Sequence, residues 1–327
     1  MNSAELWIVV PCYNEQEMIY ASSLEINKKC AELVGKGVIK DTYKIVLVDD
    51  GSHDDTWKII EKICASDRYI GIKLSHNCGH QNAVFAGMMY AKDNCDCVVT
   101  IDADLQDDLE VMDEMISDYQ NGCEIVYGAR KSRKTDSHVK RFTAESYYRL
   151  LNYLGIDTIF NHADYRLMSR KALNALASFG ERNLYLRGIV PKIGMKSSVV
   201  YYKRKKRTAG KSNYSVKKMI QLAENGIFAF SKKPIHLIIC VGAVAELLSI
   251  AAAMVLIIQS LVYNEYTQMS FLLLSVYFVG GAVLLGIGII GEYIGMALSE
   301  IQKRPRYIIE EIIKDTTRVE NDKWIAD

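Results

Sequence analysis

Short apolar runs alternate with helix-forming stretches over the first 130 residues. Runs rich in β-branched residues predict five strands, at Leu6–Pro11, Lys44–Val48, Ile70–Leu74, Cys97–Ile101 and Glu124–Tyr127. Helices are predicted from Asn14 to about Val34, from Gly79 to Tyr90 and from near Asp107. This alternation predicts an α/β fold, with a mostly parallel sheet, right-handed crossovers and helices on both faces.

Two longer apolar segments lie towards the C-terminus, at about 235–262 and 269–297. Each exceeds the roughly 20 residues that a helix needs to cross a bilayer core, so the sequence predicts a two-helix transmembrane hairpin. We therefore divide the chain into a cytosolic domain with interfacial helices at 1–230, the hairpin at 231–300 and a cytosolic tail at 301–327.

The charges around these segments predict their orientation. The loop at 263–268 has no Lys or Arg. The cations that flank the outer ends are Lys232, Lys233, Lys303, Arg304 and Arg306. We therefore expect a multi-pass protein of the inner (plasma) membrane with its N-terminal domain in the cytoplasm. Small residues such as Gly291 and Gly295 allow close helix contact, so a homo-oligomer is expected through these helices.

The formal net charge is only +1, but two segments are strongly basic. The first contains Arg130, Lys131, Arg133, Lys134, Lys140 and Arg141. It precedes an aromatic-rich stretch, which is typical of a membrane-surface helix, although an ordinary surface helix with a charged loop is the alternative. The second lies between Met195 and Ala223, with nine Lys or Arg and no acid. The tyrosines interleaved in this second segment would also suit binding of a nucleic acid. Its position directly before an apolar segment favours anionic lipid, so we expect a membrane partner and no nucleic acid.

Carboxylates end the fourth predicted strand abruptly. Asp102 and Asp104 follow Ile101, and Gln106 comes two residues later. Alternate side chains point the same way, and parallel α/β sheets bind ligands at the carboxyl ends of their strands, so these three are expected to converge. Oxygen ligands suit Mg²⁺ or Mn²⁺, and the eight cysteines show no paired C-x-x-C spacing that would favour zinc. A solvated acidic turn that leads into a helix is the alternative.

Polar clusters also follow other predicted strands, at 12–15, 49–52 and 76–82. A carboxylate after the second strand can accept hydrogen bonds from a ribose hydroxyl or a base N–H. No glycine-rich phosphate loop follows any of these strands. A metal ion is therefore expected to hold the phosphates of a bound nucleotide.

Seven ordered motifs resemble those of family-2 glycosyltransferases, most of all the polyprenyl-phosphate branch with dolichyl-phosphate mannose synthase and the bactoprenol glucosyltransferases. They are VVPCYNE at 9–15, VDDGSHDDT at 48–56, NCGHQNA at 77–83, DADLQD at 102–107, ADYRLMSR at 163–170, RTAGKS at 207–212 and RPRYIIEE at 304–311. The resemblance covers nearly the whole chain. It implies a GT-A fold, a nucleotide-sugar donor, a divalent metal and inversion at the anomeric carbon.

The same match implies roles for individual residues. Asp49 and Asp50 would hold the nucleoside, Asp102 and Asp104 the donor and the metal, and Gln106 the metal. Asp164 would belong to the catalytic loop, so that the catalytic set is Asp102, Asp104 and Asp164. Further donor-site residues by the match are Pro11, Tyr13, Asn14, Glu15, Asn77 and Gln81.

The acceptor is expected to be a lipid phosphate, for which the basic segments supply cations. Arg binds phosphate through paired hydrogen bonds that Lys cannot make. The candidates in the two basic segments are Arg130, Arg133, Lys140, Arg141, Arg207 and Ser212.

We therefore expect a membrane-bound inverting enzyme that moves a hexose, glucose from UDP-glucose, onto undecaprenyl or another polyprenyl phosphate at the cytosolic leaflet, in modification of a cell-envelope polysaccharide. Another donor sugar (GlcNAc, mannose or an aminoarabinose derivative) and a non-enzymatic membrane scaffold stay open. A processive polysaccharide synthase is disfavoured because no Arg-Trp pair occurs. A nucleotidyltransferase is disfavoured because no triphosphate loop is found near the N-terminus.

Overall fold

The structure is a computed structural model that describes residues 3–131, 162–181, 185–203, 269–314 and 317–319, with single helical positions at 238, 242, 244, 251, 254, 255 and 258. Its strands are β1 Leu6–Cys12, β2 Lys44–Asp49, β3 Tyr69–Leu74, β4 Cys97–Thr100, β5 Ile125–Arg130, β6 His162–Ser169, β7 Ser197–Tyr202, β8 Ile309–Lys314 and β9 Thr317–Val319. They form one sheet in the order β7-β5-β6-β4-β1-β2-β3-β8-β9. The central strands β4, β1, β2 and β3 are parallel, whereas β6 and β8 are antiparallel to β4 and β3.

Helices cover both faces of the sheet. They are α1 Ile19–Gly35, α2 Thr56–Ile63, α3 His80–Ala91, α4 Val111–Gln120, α5 Arg170–Ala177, α6 Leu186–Lys192 and α7 Met269–Ile301. Alternate residues of β1 divide the core: Ile8 packs in the cluster that contains α1, α2 and α4, and Val9 packs in the cluster that contains α3, α5 and α6. Every residue of β1 is buried, as expected for a central strand with helices on both sides.

The predicted α/β architecture is therefore confirmed, with differences at the ends of elements. The helix expected from Asn14 begins at Ile19, because the preceding backbone is hydrogen-bonded to the loop after β2. The helix expected near Asp107 begins at Val111. Asp107 is instead buried, where its carboxylate accepts a 2.5 Å hydrogen bond from the Tyr202 hydroxyl.

The segment after α7 returns to the sheet that the N-terminal strands form. Residues 309–314 form β8, which pairs with β3, and β9 extends the sheet further. The physical reason is apolar burial, since Ile312 and Ile313 are 2% and 5% exposed. The sheet is therefore completed by residues from the far end of the chain.

One helix in the described part of the chain is long and apolar enough to cross a membrane. Its stretch Val279–Leu298 has a mean hydropathy of 1.8 and is 6% buried. It coincides with the second predicted span. The first span, at 235–262, falls largely outside the described residues.

Candidate functional site

The loops after β1, β2, β3 and β4 meet at the carboxyl edge of the sheet. The Asp50 N–H donates to the Cys12 carbonyl at 2.8 Å, and the Asn14 N–H donates to Ser52 Oγ at 2.9 Å. Asn14 has a φ of 54°, a left-handed conformation that Asn tolerates better than most residues. These bonds hold the first two predicted donor-site motifs against each other.

Asp49 and Asp50 are both buried, but their carboxylates face different surroundings. Asp50 accepts backbone hydrogen bonds from Cys78 at 2.7 Å and Gly79 at 3.0 Å, and burial raises its pKa to about 6 despite these bonds. Asp49 accepts one from Ser52 at 3.3 Å, and burial raises its pKa. The Oδ1 atom of Asp49 has no hydrogen-bond partner. Asp50 therefore holds the loop after β3, whereas the buried carboxylate of Asp49 keeps one oxygen without a hydrogen-bond partner.

The central acids lie where the sequence predicts. Asp102, Asp104 and Gln106 follow β4 and are all partly exposed. Leu105 has a φ of 44°, and the Gln106 N–H donates to Asp104 Oδ1 at 3.2 Å, which makes a tight turn. Two carboxylates and an amide in such a turn are donors that fit Mg²⁺ or Mn²⁺.

Asp164 lies on β6, not in a loop as the resemblance implies, because β6 pairs with both β4 and β5. Its carboxylate binds two arginines. Arg166 Nη2 donates to Oδ1 at 2.8 Å, while Arg187 donates from Nε to Oδ1 at 3.2 Å and from Nη2 to Oδ2 at 3.0 Å. Burial alone would raise the pKa of Asp164, but the charge of Arg187, with His80 and Arg166, holds it well below its usual range.

His80 lies between the carboxylates of Asp102 and Asp164. Its Nε2 atom lies 3.5 Å from Asp102 Oδ1 and 3.6 Å from Asp164 Oδ2. Burial alone would lower the pKa of His80, but the hydrogen bond to Asp164 and the charges of both carboxylates raise it to about 9. A positively charged His80 therefore separates two carboxylates that would otherwise repel each other.

Arg130 is the predicted acceptor-site cation that the structure describes. It ends β5, and its Nη2 atom lies 3.8 Å from Oδ1 of the buried Asp107. Its Nε atom is buried without a hydrogen-bond partner. Burial raises the pKa of Asp102, and the charge of Arg130 opposes this rise, so Arg130 lies within electrostatic reach of Asp102.

The other predicted site residues divide into three groups. Tyr13 and Glu15 are partly exposed and Asn77 is exposed at this edge, while Pro11 is buried in β1. The Oε1 atom of Gln81 accepts the Leu186 N–H at 2.7 Å, so this side chain binds the beginning of α6. The candidates Arg133, Lys140, Arg141, Arg207 and Ser212 lie outside the described residues.

Sequence reasoning missed His80, Arg166 and Arg187 as members of the site. His80 and Arg166 lie inside quoted motifs, so their neighbours could have indicated them. Arg187 lies outside every motif, and only its contacts reveal it.

Two other features of the described residues are not candidates for this site. Glu32, Glu110 and Asp113 lie close enough to hold a metal, but Lys29 and Lys36 already neutralise them. A cavity of about 680 Å³ lies at the opposite edge of the sheet, lined by Ala4, Lys40, Asp96, Tyr119 and Glu124 among others.

The chain is similar in sequence to proteins of one family. Residues 7–177 match the family model Glycosyl transferase family 2. The chain is 47% identical over 306 residues to the uncharacterized glycosyltransferase YkoT of Bacillus subtilis, covering 93% of this chain and 91% of that protein. It is 37% identical over 307 residues to the SfII prophage-derived bactoprenol glucosyl transferase of Shigella flexneri, covering 93% and 97%. Mannosyl-3-phosphoglycerate synthase from Rubrobacter xylanophilus aligns with a TM-score of 0.47 and 15% identity, over 68% of this chain and 71% of that one.

Proposed function

The chain belongs to glycosyl transferase family 2 and is a glycosyltransferase with a GT-A-like fold, and we propose that it transfers glucose from UDP-glucose to the phosphate of a polyprenyl phosphate. The observation that carries this proposal is the 37% identity, over 93% of the chain, with a bactoprenol glucosyl transferase. An alignment over 93% of the chain extends into the predicted membrane helices and into the basic segments that are expected to bind the lipid.

The donor end of the site supports a nucleotide sugar. Asp49 presents a buried acceptor oxygen at the carboxyl edge, which suits a base N–H or a ribose hydroxyl. Asp102, Asp104 and Gln106 would hold Mg²⁺ or Mn²⁺ beside the donor. When bound, this ion supplies a Lewis acid that neutralises the leaving diphosphate.

The proposed transfer is a single in-line displacement with inversion at the anomeric carbon. Asp164 is a weak base, because two arginines and His80 hold its pKa well below the usual range. A general base is not required, since a phosphate monoester with a second pKa of about 6 is largely dianionic at neutral pH. We assign Asp164 to orienting charged groups around the reacting atoms, and Arg130 to the acceptor phosphate.

A transmembrane hairpin is proposed from the topology of the sheet. Strands from before and after α7 share one sheet, so the chain must return to the side of the membrane from which it left. If α7 crosses the bilayer, an odd number of further crossings must precede it, after β7. The apolar segment at 235–262 is long enough to supply one. The catalytic domain and both ends of the hairpin are then cytoplasmic.

The test is an assay of the purified full chain in nanodiscs with undecaprenyl phosphate and a panel of UDP- and GDP-sugars. We expect metal-dependent glucosyl transfer to the lipid, measured as the glycolipid product and as released UDP. Transfer of GlcNAc, mannose or an aminoarabinose derivative instead would overturn the assignment of the sugar. Failure to bind or turn over any donor would favour a membrane scaffold and overturn the proposed activity.

A further inference from the structure

The beginning of α6 is fixed to the site from two sides. The backbone N–H of Leu186 donates to Gln81 Oε1 at 2.7 Å, from the first turn of α3. The carbonyl of Leu186 accepts from Arg166 Nη1 at 3.4 Å, from β6. Both polar groups of one peptide residue are thus bound by side chains from other elements, which determines the position of the next residue, Arg187.

Arg187 meets Asp164 in a two-point contact. Its Nε and Nη2 atoms donate to the two carboxylate oxygens at 3.2 and 3.0 Å. This geometry fixes the plane and direction of the guanidinium, as paired Arg–carboxylate bonds do. The loss of side-chain entropy is therefore already incurred before a substrate arrives.

The cluster of Asp164, Arg166 and Arg187 contains two guanidinium groups and one carboxylate. The side chain of Arg166 is 0% exposed and that of Asp164 is 11% exposed, whereas that of Arg187 is 24% exposed. Arg187 is therefore the member of this cluster that a ligand can reach. A partly exposed guanidinium can bind an anion through charge-assisted hydrogen bonds.

The position of Arg187 indicates which anion it would bind. Arg187 Nη2 and His80 Nε2 lie 3.0 and 3.6 Å from the same oxygen, Asp164 Oδ2, and His80 Nε2 also lies 3.5 Å from Asp102 Oδ1, so Arg187 belongs to the group of side chains around Asp102. The groups that react at this edge carry phosphate, in the donor diphosphate and in the acceptor monophosphate.

We propose that Arg187 is a substrate-binding residue that holds a phosphate group at this site, prepositioned by Asp164, Gln81 and Arg166. The inference rests on the proposed function for the identity of the substrates. Its chemistry is that of any phosphate monoester or diphosphate, and the experiment separates the two sources.

The test compares the wild type with Arg187→Gln and Arg187→Lys in the full chain. Calorimetry measures affinity for UDP against uridine, and for polyprenyl phosphate against the corresponding polyprenol. We expect Arg187→Gln to weaken one phosphate ligand about ten- to a hundredfold, with uridine and polyprenol unchanged, and Arg187→Lys to restore only part of the loss. Loss confined to UDP assigns Arg187 to the donor, and loss confined to the lipid phosphate assigns it to the acceptor.

Lys192→Gln is the matched control, because it removes an exposed cation from the same helix, and its affinities should equal those of the wild type. If Arg187→Gln binds phosphate and non-phosphate ligands as the wild type does, or loses both equally, the inference is wrong. If the wild type makes glycolipid while the variant behaves in either of these ways, the proposed function stands and only the role of Arg187 is refuted. If the wild type makes no glycolipid but Arg187→Gln still loses affinity for phosphate ligands alone, the proposed function is overturned and the role of Arg187 is not.

Discussion

At the scale of single residues, neighbouring acids differ in role because their surroundings differ. Asp50 uses both oxygens to hold backbone N–H groups, whereas Asp49 retains a buried oxygen without a partner. Asp164 is surrounded by cations, whereas Asp104 accepts a backbone N–H in the tight turn after β4. Of these four carboxylates, Asp104 is the one that we propose as a metal ligand.

Asp104→Asn should abolish transfer while the protein stays folded. The amide keeps an oxygen that can accept the Gln106 N–H but loses the negative charge that attracts the ion. We expect activity to fall by more than the roughly 10- to 100-fold that is typical of outer-shell changes. The measurement is transfer rate against Mn²⁺ concentration, with thermal unfolding as the control for folding. Unchanged, metal-dependent activity would contradict the assignment.

His80 should make stability depend on pH. Its pKa is raised from 6.5 to about 9, so its contribution to folding is full below pH 6.5 and is lost as pH rises through about 9. The side chain is 37% exposed, so solvent reduces the effect. We expect the melting-temperature difference between wild type and His80→Gln to shrink between pH 6.5 and 9.5. A constant difference would show that the protonated ring does not bind these carboxylates.

At the scale of elements, close backbone contacts and charged side chains hold helices and loops in place. Gly51, in the loop after β2, has a φ of 66°, and a Cβ there would lie 2.6 Å from the Asn77 nitrogen. Lys29 of α1 is buried and binds the carboxylates of Asp113 in α4 and of Glu110 just before α4. Both contacts bring segments together that are distant in sequence.

Gly51→Ala should destabilise the protein far more than Gly37→Ala. Both glycines have positive φ, so each alanine incurs a left-handed backbone cost of about 1 to 2 kcal/mol. Gly37 has no atom within 4 Å of an added Cβ, whereas at Gly51 the loop that binds Asp50 must move. Thermal unfolding and UDP-glucose affinity measure the difference. Equal losses in the two variants would show that the close approach is unimportant.

Lys29→Met should loosen α1 from α4. The ammonium lies 2.6 Å from Glu110 and 2.5 Å from Asp113, and we expect a loss of about 1.5 to 3 kcal/mol in unfolding free energy, as for hydrogen bonds to charged groups. Lys36→Met is the matched control, since Lys36 binds Asp113 but is 45% exposed, so solvent screens its ion pair and its loss should cost less than that of Lys29. Denaturant unfolding compares them. A larger loss in the control would refute the role of burial.

At the scale of the whole molecule, the residues after α7 join this helix to the sheet and to the site. Arg306 stacks on Phe85 of α3 at 4.7 Å, and the carbonyl of Ile308 accepts the Ser75 N–H at 3.0 Å. The chain that leaves α7 therefore supports both the loop after β3 and helix α3, which begins at His80. We infer that the orientation of the site relative to α7 depends on this junction.

The proposed hairpin predicts which positions face outward. In a background with native thiols masked, Asn264→Cys should react with an impermeant reagent added to intact cells. Lys303→Cys, just after α7, should react only after permeabilisation. The reverse labelling pattern would show that the catalytic domain is outside.

The sequence alone determined the central strands and the acids at their ends, because strand formation and alternation depend on neighbouring residues. It identified Asp49, Asp102 and Asp104 as strand-end acids for the same reason. The tertiary structure decided what each group contacts: Gln81 binds Leu186 across 105 positions, and Lys73 binds Glu310 across 237. The incorporation of β8 into the sheet, and the pairing of Asp164 with Arg187, were decided in the same way. Such contacts depend on which apolar faces pack and which charges are buried together, and no local pattern encodes them.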